Sequence, residues 1–165
     1  MKKLILIRSA SGGGKSYLAK QIAYEAVIDN KSVVIHNTDS VWMSKTNFTD
    51  EAYYFDFNVL YQAHQINQAK TAISMERGIN VVIIDNTNTT LKEVKVYVDL
   101  AVKYGYTVEV VRPNTPWFGN IDEHFARNTH NVPKDVIQKQ MDRLSRSPDS
   151  EVYEYYNSIR DCNVS

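Results

Sequence analysis

The fold of this chain is decided by Ser9-Ala10-Ser11-Gly12-Gly13-Gly14-Lys15-Ser16. This octapeptide follows the apolar run at residues 4–7 and precedes a helical pattern over residues 15–28, so it connects a buried strand to a helix. Its spacing fits the phosphate-loop pattern GxxxxGK[ST], in which glycines let backbone N–H groups surround phosphates and the helix end adds positive potential. Ser9 replaces the first glycine of the pattern, so the turn must form there without glycine's conformational freedom.

The motif predicts ATP and Mg²⁺ as ligands. Lys15 is expected to contact the β- and γ-phosphates, and the Ser16 hydroxyl is expected to bind Mg²⁺. The predicted nucleotide-binding residues are Ser9, Ala10, Ser11, Gly12, Gly13, Gly14, Lys15, Ser16 and Tyr17. The alternative is a flexible glycine loop with a solvated lysine, which the strand–loop–helix setting disfavours.

Apolar runs of strand length recur at residues 4–7, 32–35, 80–84 and 107–111. Helical patterns lie between and after them, at residues 15–28, 58–77, 90–104 and 134–145, the third of which starts with the capping-box sequence Thr90-Leu91-Lys92-Glu93. The alternation predicts an α/β fold, a P-loop three-layer sandwich with a small, mainly parallel sheet of four to five strands, helices on both faces and a helical lid.

Two long connections, residues 40–56 and 114–132, show no regular pattern, and long connections inside a compact domain are often functional. We expect residues 114–132 to form the lid. The tail at 148–165 has only a weak helical pattern.

Composition limits the organisation of the chain. The 165 residues, 43% of them apolar, suit one domain over residues 1–165. The 19 basic and 19 acidic side chains cancel, so net charge does not attract a long polyanion. The lone Cys162 and the lack of a secretory or membrane-spanning run predict a cytoplasmic protein without membrane contact.

A buried strand is expected to end at Asp85. A carboxylate in this position commonly orients Mg²⁺ beside a phosphate loop, so Asp85 is predicted to share the metal with Ser16. The alternative is that Asp85-Asn86-Thr87-Asn88 is a turn whose short polar side chains satisfy the backbone.

Asp39 follows the second predicted strand, and a parallel sheet would place it at the same edge as the phosphate loop. There it is suited to accept the proton of a hydroxyl that attacks the γ-phosphate, although helix capping would explain it equally well. Arg127, in the predicted lid, suits the charge that spreads over the transferring phosphoryl group, unless it is merely solvated. Weaker candidates for this role are Lys134, Arg143 and Arg8, and the alternative for Arg8 is that it closes the first strand.

Taken together, these motifs resemble the polynucleotide-kinase-like branch of P-loop kinases, over about residues 3–144. The matching segments are residues 8–16, 38–39, 63–67, 82–88, 105–106, 115–117 and 127–132. The resemblance implies ATP as donor, Asp39 as general base, Arg127 as a lid arginine, and a kinase module without the phosphatase domain of the phage enzymes. Trp42 stands where those enzymes carry an arginine that holds the acceptor strand's phosphate.

Three functions therefore stay open. The first is a kinase that phosphorylates the 5′-hydroxyl of RNA or DNA, or a smaller nucleoside-like molecule. The family likeness supports a polynucleotide acceptor, whereas the neutral net charge weakens that choice. The second is a regulatory module that binds or hydrolyses ATP without a phosphoacceptor. The third, an inactive homologue, is disfavoured because Lys15, Ser16, Asp39, Asp85 and Arg127 are all present.

Overall fold

A computed structural model describes residues 1–39 and 57–164, so the irregular segment at 40–56, with Trp42, lies outside the described residues. The described strands are β1 (Lys3–Ile7), β2 (Val33–His36), β3 (Val81–Asp85) and β4 (Thr107–Val111). They pair in parallel in the order β2-β3-β1-β4. The predicted α/β fold with a small parallel sheet is confirmed.

The described helices are α1 (Lys15–Ile28), α2 (Phe57–Glu76), α3 (Leu91–Tyr104), α4 (Ile121–Arg127), α5 (Lys134–Ser145) and α6 (Asp149–Val164). The predicted bounds of the first two helices and of α5 agree with these to within one residue. Among the described helices, none combines the length and the apolar content that a membrane crossing requires.

The sheet is covered on both faces, which explains why its strands are continuously apolar. Leu4 and Leu6 of β1 point to the face covered by α2, α3 and α6, and Ile5 and Ile7 point to the face covered by α1. Because β1 lies between β3 and β4, its carboxyl end, where the phosphate loop begins, lies near the middle of the sheet edge.

The capping box at the start of α3 forms with one change. Thr90 accepts the Glu93 N–H, as predicted, but the Glu93 carboxylate accepts the N–H and hydroxyl of Thr89 instead of the Thr90 N–H. At the other end, Gly105 adopts a left-handed conformation with φ of 74° and closes the helix.

Two segments without a strong periodic pattern contain helices. The segment at 114–132 contains α4, a helix of 7 residues capped by the Asn120 side chain, which is too short to show a periodic apolar pattern. The tail forms α6 throughout its described length because Val152 and Tyr156 pack into the core against α3.

Arg8, a weaker candidate for phosphate contact, is instead a structural residue. Its guanidinium is fully buried and donates to the backbone oxygens of Asn88 (2.8 Å) and Ser147 (3.0 Å) and to Asp149 Oδ1 (2.9 Å). Burial lowers the pKa of Arg8, and the Asp149 carboxylate opposes that shift. Arg112 also binds Asp149, at 2.8 Å, so one carboxylate joins two arginines at the start of α6.

We expect Asp149→Ala to lower the free energy of unfolding by about 2 to 3 kcal/mol, because it leaves the buried Arg8 charge without its carboxylate. Urea denaturation measures this change. The control is Asp161→Ala, whose exposed carboxylate pairs with neighbouring Arg160, and which should change stability by less than about 0.5 kcal/mol. Equal effects of the two substitutions would contradict this account of Arg8.

Candidate active site

The phosphate loop at residues 9–16 needs glycine at two positions for conformational reasons. Gly12 and Gly14 have φ of 76° and 97°, in the left-handed region that other residues rarely adopt. Gly14 is also the residue before α1, and no side chain caps that helix. The first N–H groups of α1 therefore remain available for an anion.

Side chains from the second half of the chain hold the loop from outside. Trp117 Nε1 donates to the Gly12 carbonyl at 3.0 Å, and the Thr115 hydroxyl donates to the Gly13 carbonyl at 3.2 Å. Gln140 Oε1 accepts the Ser11 N–H at 2.9 Å. The bonds to carbonyl oxygens leave loop N–H groups for phosphates: in the described part of the chain, no hydrogen bond uses the N–H of Gly12 or Gly14.

His124 completes this support from α4, where it is fully buried. The Gly119 N–H donates to its Nε2 at 3.1 Å, which makes Nε2 an acceptor. Nδ1 must then carry the hydrogen and donate to the Ser11 carbonyl, 3.0 Å away. The surroundings thus select one neutral tautomer of His124, and the imidazole connects α4 to the phosphate loop.

Ser16 and Asp85 come together as predicted, since the Ser16 hydroxyl donates to Asp85 Oδ2 at 3.1 Å. Asp85 is 5% exposed, and its Oδ1 has no hydrogen-bond partner among the described residues. Burial raises the pKa of Asp85, and nearby Lys15 and the Ser16 bond counteract it. A hydroxyl beside a carboxylate with a free oxygen is a donor set that fits Mg²⁺, directly or through water.

Asp39 lines the same cavity of about 1030 Å³ as Lys15 and Ser16. Its Oδ2 lies 3.4 Å from His130 Nε2, on the segment between α4 and α5. The preceding Thr38 donates its N–H to Asn86 Oδ1 at 2.9 Å, which ties the end of β2 to the end of β3. The structure therefore brings the predicted base and the phosphate loop to one cleft.

Arg127 lines the cavity but is held at its wall. Its Cζ lies 3.7 Å from the centre of the Trp117 ring, and its Nε donates to Glu123 at 3.1 Å. Tyr17, another predicted nucleotide-binding residue, also lines the cavity and is 67% exposed. Lys134 and Arg143 do not line it: Lys134 pairs with Asp122, and Arg143 binds Thr89.

The predicted site omits four residues that shape it: Trp117, His124, His130 and Gln140. Trp117 and His130 lie in the segments 115–117 and 127–132 that carry the family resemblance, but no role was assigned to them, and His124 and Gln140 carry no motif. The contacts of Trp117, His124 and Gln140 with the loop join positions more than a hundred residues apart, which spacing in one sequence does not reveal. The available signal was their location in or just after the predicted lid.

Comparisons with known proteins agree with this geometry. Residues 4–147 match the family model described as "AAA domain". Human NEDD4-binding protein 2 is 36% identical over 143 residues, which are 87% of this chain and 8% of that protein. This chain thus corresponds to a small part of that relative.

Solved structures share the fold at low identity. A chain of the Pnkp1/Rnl/Hen1 RNA repair complex has a TM-score of 0.69 and 17% identity, over 90% of this chain and 46% of that one. A putative kinase from Chloroflexus aurantiacus has a TM-score of 0.58 and 15% identity, over 93% and 74% of the two chains. The APS kinase CysC from Mycobacterium tuberculosis, in complex with AMPPNP and APS, has a TM-score of 0.51 and 12% identity, over 70% and 64%.

Gly12→Ala should disrupt ATP binding, because its Cβ would lie 1.9 Å from the backbone oxygen of His124. The control is Gly78→Ala, which has a similar φ of 73° and open space around the added methyl group. Both substitutions should cost about 1 kcal/mol or slightly more for the left-handed backbone. Calorimetric titration should show ATP affinity reduced at least about tenfold for Gly12→Ala alone. Equal ATP affinity in both variants would show that contact between α4 and the loop is not needed for binding.

Asp85→Asn should stabilise the nucleotide-free protein while weakening its response to ATP and Mg²⁺. Because burial raises the pKa of Asp85, folding disfavours the carboxylate at every pH above its unfolded-state pKa. The neutral amide removes this cost at pH 7 and keeps a hydrogen bond with Ser16. Thermal denaturation should give a higher Tm without ligand and a smaller rise in Tm with ATP and Mg²⁺. A lower Tm of the ligand-free variant would contradict this interpretation.

Proposed function

The chain belongs to the AAA domain family and has the fold of small P-loop kinases, and on this basis we propose that it transfers the γ-phosphate of ATP to a hydroxyl group. The observation that carries the proposal is a second carboxylate, Asp39, in the cavity that the phosphate loop lines. Binding or hydrolysis of ATP alone does not require such a group to deprotonate an acceptor.

On the donor side, residues 9–16 and Tyr17 bind ATP. The N–H groups of the loop and the first turn of α1 surround the phosphates, and Lys15 places its charge beside the β- and γ-phosphates. Ser16 and Asp85 would hold Mg²⁺, which would neutralise negative charge on the phosphate oxygens.

On the acceptor side, Asp39 is the general base. Its carboxylate accepts the proton of the acceptor hydroxyl as the oxygen attacks the γ-phosphorus, and the bond from that phosphorus to the β–γ bridging oxygen breaks. His130 contacts Asp39 Oδ2 and restricts the orientation of the carboxylate. The two carboxylates thus have separate roles, since Asp85 is bonded to Ser16 and Asp39 lies beyond the end of the neighbouring strand β2.

Arg127 supplies positive charge to the transferring phosphoryl group. Its guanidinium is about half exposed and has only an exposed carboxylate and the Trp117 ring as described partners, so it can leave them at modest cost. Its planar donors can then bridge two phosphoryl oxygens.

The acceptor is a 5′-hydroxyl of RNA or DNA, or a nucleoside-like molecule. One structure of similar fold belongs to an RNA repair complex, which supports a polynucleotide. Other similar folds include APS kinase and gluconokinase, whose names indicate small acceptors.

Asp39→Asn should reduce transfer by about 10²- to 10⁴-fold while ATP affinity stays close to that of the parent protein. Lys15→Ala should lose both phosphate transfer and ATP affinity. The assay incubates ATP labelled in the γ-phosphate with 5′-hydroxyl RNA, 5′-hydroxyl DNA and nucleosides, and ATP affinity is measured in parallel. The matched control is Asp29→Asn, an exposed carboxylate at the end of α1.

Two results would contradict the proposal. A normal rate of phosphate transfer by Asp39→Asn would contradict the role of Asp39 as general base. Label that appears only in inorganic phosphate, with every acceptor tested, would indicate an ATP hydrolase instead of a kinase.

A further inference from the structure

A second depression, of about 350 Å³, lies between the start of α3, the end of α5 and the start of α6. Three basic side chains line it, Lys92, Arg143 and Arg146, together with the single carboxylate of Glu151. We call this depression the basic groove. The three cations against one carboxylate give it an excess of positive charge, although the whole chain is neutral.

Among the described residues, the cations of the basic groove form no ion pairs. In the described ranges, no carboxylate oxygen lies within 4.0 Å of a side-chain nitrogen of Lys92, Arg143 or Arg146. The Arg143 side chain donates from Nε to the Thr89 hydroxyl at 3.0 Å, which orients its guanidinium. Glu151 accepts the Ser147 hydroxyl at 2.9 Å. An oriented arginine with two further cations is a suitable receptor for a phosphate group.

The basic groove lies close to the active-site cavity along two elements. Val136 and Gln140 of α5 line the cavity. Gln140 follows Val136 by four residues and Arg143 follows Gln140 by three, which places all three on one helical face. The rise of a helix places Arg143 only about 4.5 Å beyond Gln140 along the axis. The connection from β3 to α3 also joins the two sites, since Thr87 lines the cavity and Thr90 lines the groove.

We propose that the basic groove binds a phosphodiester group of a polynucleotide acceptor whose 5′-hydroxyl lies at Asp39. This inference rests on the proposed function and selects the polynucleotide from its two acceptor classes. A nucleoside at Asp39 ends within the cavity, whereas an oligonucleotide extends beyond it and can follow the face of α5. Contacts to phosphate add affinity that does not depend on base sequence. The groove therefore favours acceptors long enough to reach it, whatever their bases.

The test uses the double variant Lys92→Gln/Arg146→Gln, because both side chains are exposed and neither makes a side-chain hydrogen bond in the described residues. The matched control is Lys31→Gln/Arg77→Gln, which removes the same two charges from exposed positions outside both sites. Binding of a fluorescent 5′-hydroxyl oligonucleotide is measured by anisotropy, without ATP, over a range of salt concentrations. Thermal denaturation checks that both variants are folded.

We expect the groove variant to bind the oligonucleotide about tenfold more weakly than the control, and its log–log dependence on salt to be less steep by about one. With ATP, its KM for the oligonucleotide should rise while its kcat/KM for a nucleoside matches the control. Equal oligonucleotide affinity and salt dependence in the two variants would overturn the proposal. Loss of binding to inorganic phosphate alone, with oligonucleotide binding intact, would also overturn it by assigning the groove to a free phosphate compound.

The two proposals fail in different ways. If the parent protein transfers phosphate to nucleosides and the groove variant behaves like the control with every acceptor, the groove proposal fails and the kinase proposal stands. If oligonucleotide binding depends on the groove but no acceptor is phosphorylated, the kinase proposal fails and the groove remains a polynucleotide-binding site.

Discussion

The site depends on how the carbonyl oxygens of the phosphate loop are bound. A loop of consecutive glycines has many accessible conformations, and few of them direct several N–H groups to one point. Here the carbonyls of Ser11, Gly12 and Gly13 accept hydrogen bonds from His124, Trp117 and Thr115. These bonds select one conformation before any ligand arrives, so the entropy of ordering the loop is lost on folding and not on nucleotide binding.

The same contacts link the loop to the elements that surround the acceptor. α4 carries both His124, which binds the loop, and Arg127, which stacks on the Trp117 ring. The segment after α4 carries His130, which contacts Asp39. The donor side and the acceptor side of the cavity are therefore supported by one stretch of chain, and a shift of α4 would change both sides together.

Several features could be predicted from the sequence because they depend on local chemistry. Lys15, Ser16 and Asp85 were found from a motif and from a carboxylate at the end of an apolar strand, and the structure places them together. The strands could be predicted from continuous apolar runs, because both faces of the sheet are covered. The longer helices could be predicted from their patterns of apolar residues. The roles of these residues, and of Asp39 and Arg127, remain predictions.

Other features could not be predicted because distant partners determine them. Arg8 follows a strand and adjoins the motif, which suggests phosphate contact, but its buried guanidinium binds the partly exposed carboxylate of Asp149, 141 positions away. The sequence of α4 offers a capping residue, Asn120, but the helix is too short for its apolar residues to show a periodic pattern. The tautomer of His124 depends on the N–H of Gly119 and on a loop carbonyl 113 positions away. The basic groove likewise gathers residues from three helices.

The separation in sequence between the phosphate loop and its supports has a consequence for biosynthesis. The loop residues leave the ribosome before the side chains that orient them, which stand 102 to 129 positions later. The central strand β1 must likewise wait for β3 and β4 before it is paired on both sides. We therefore expect nucleotide to stabilise a nascent chain only after residues 115–140 have been translated, because the loop lacks its supports until then.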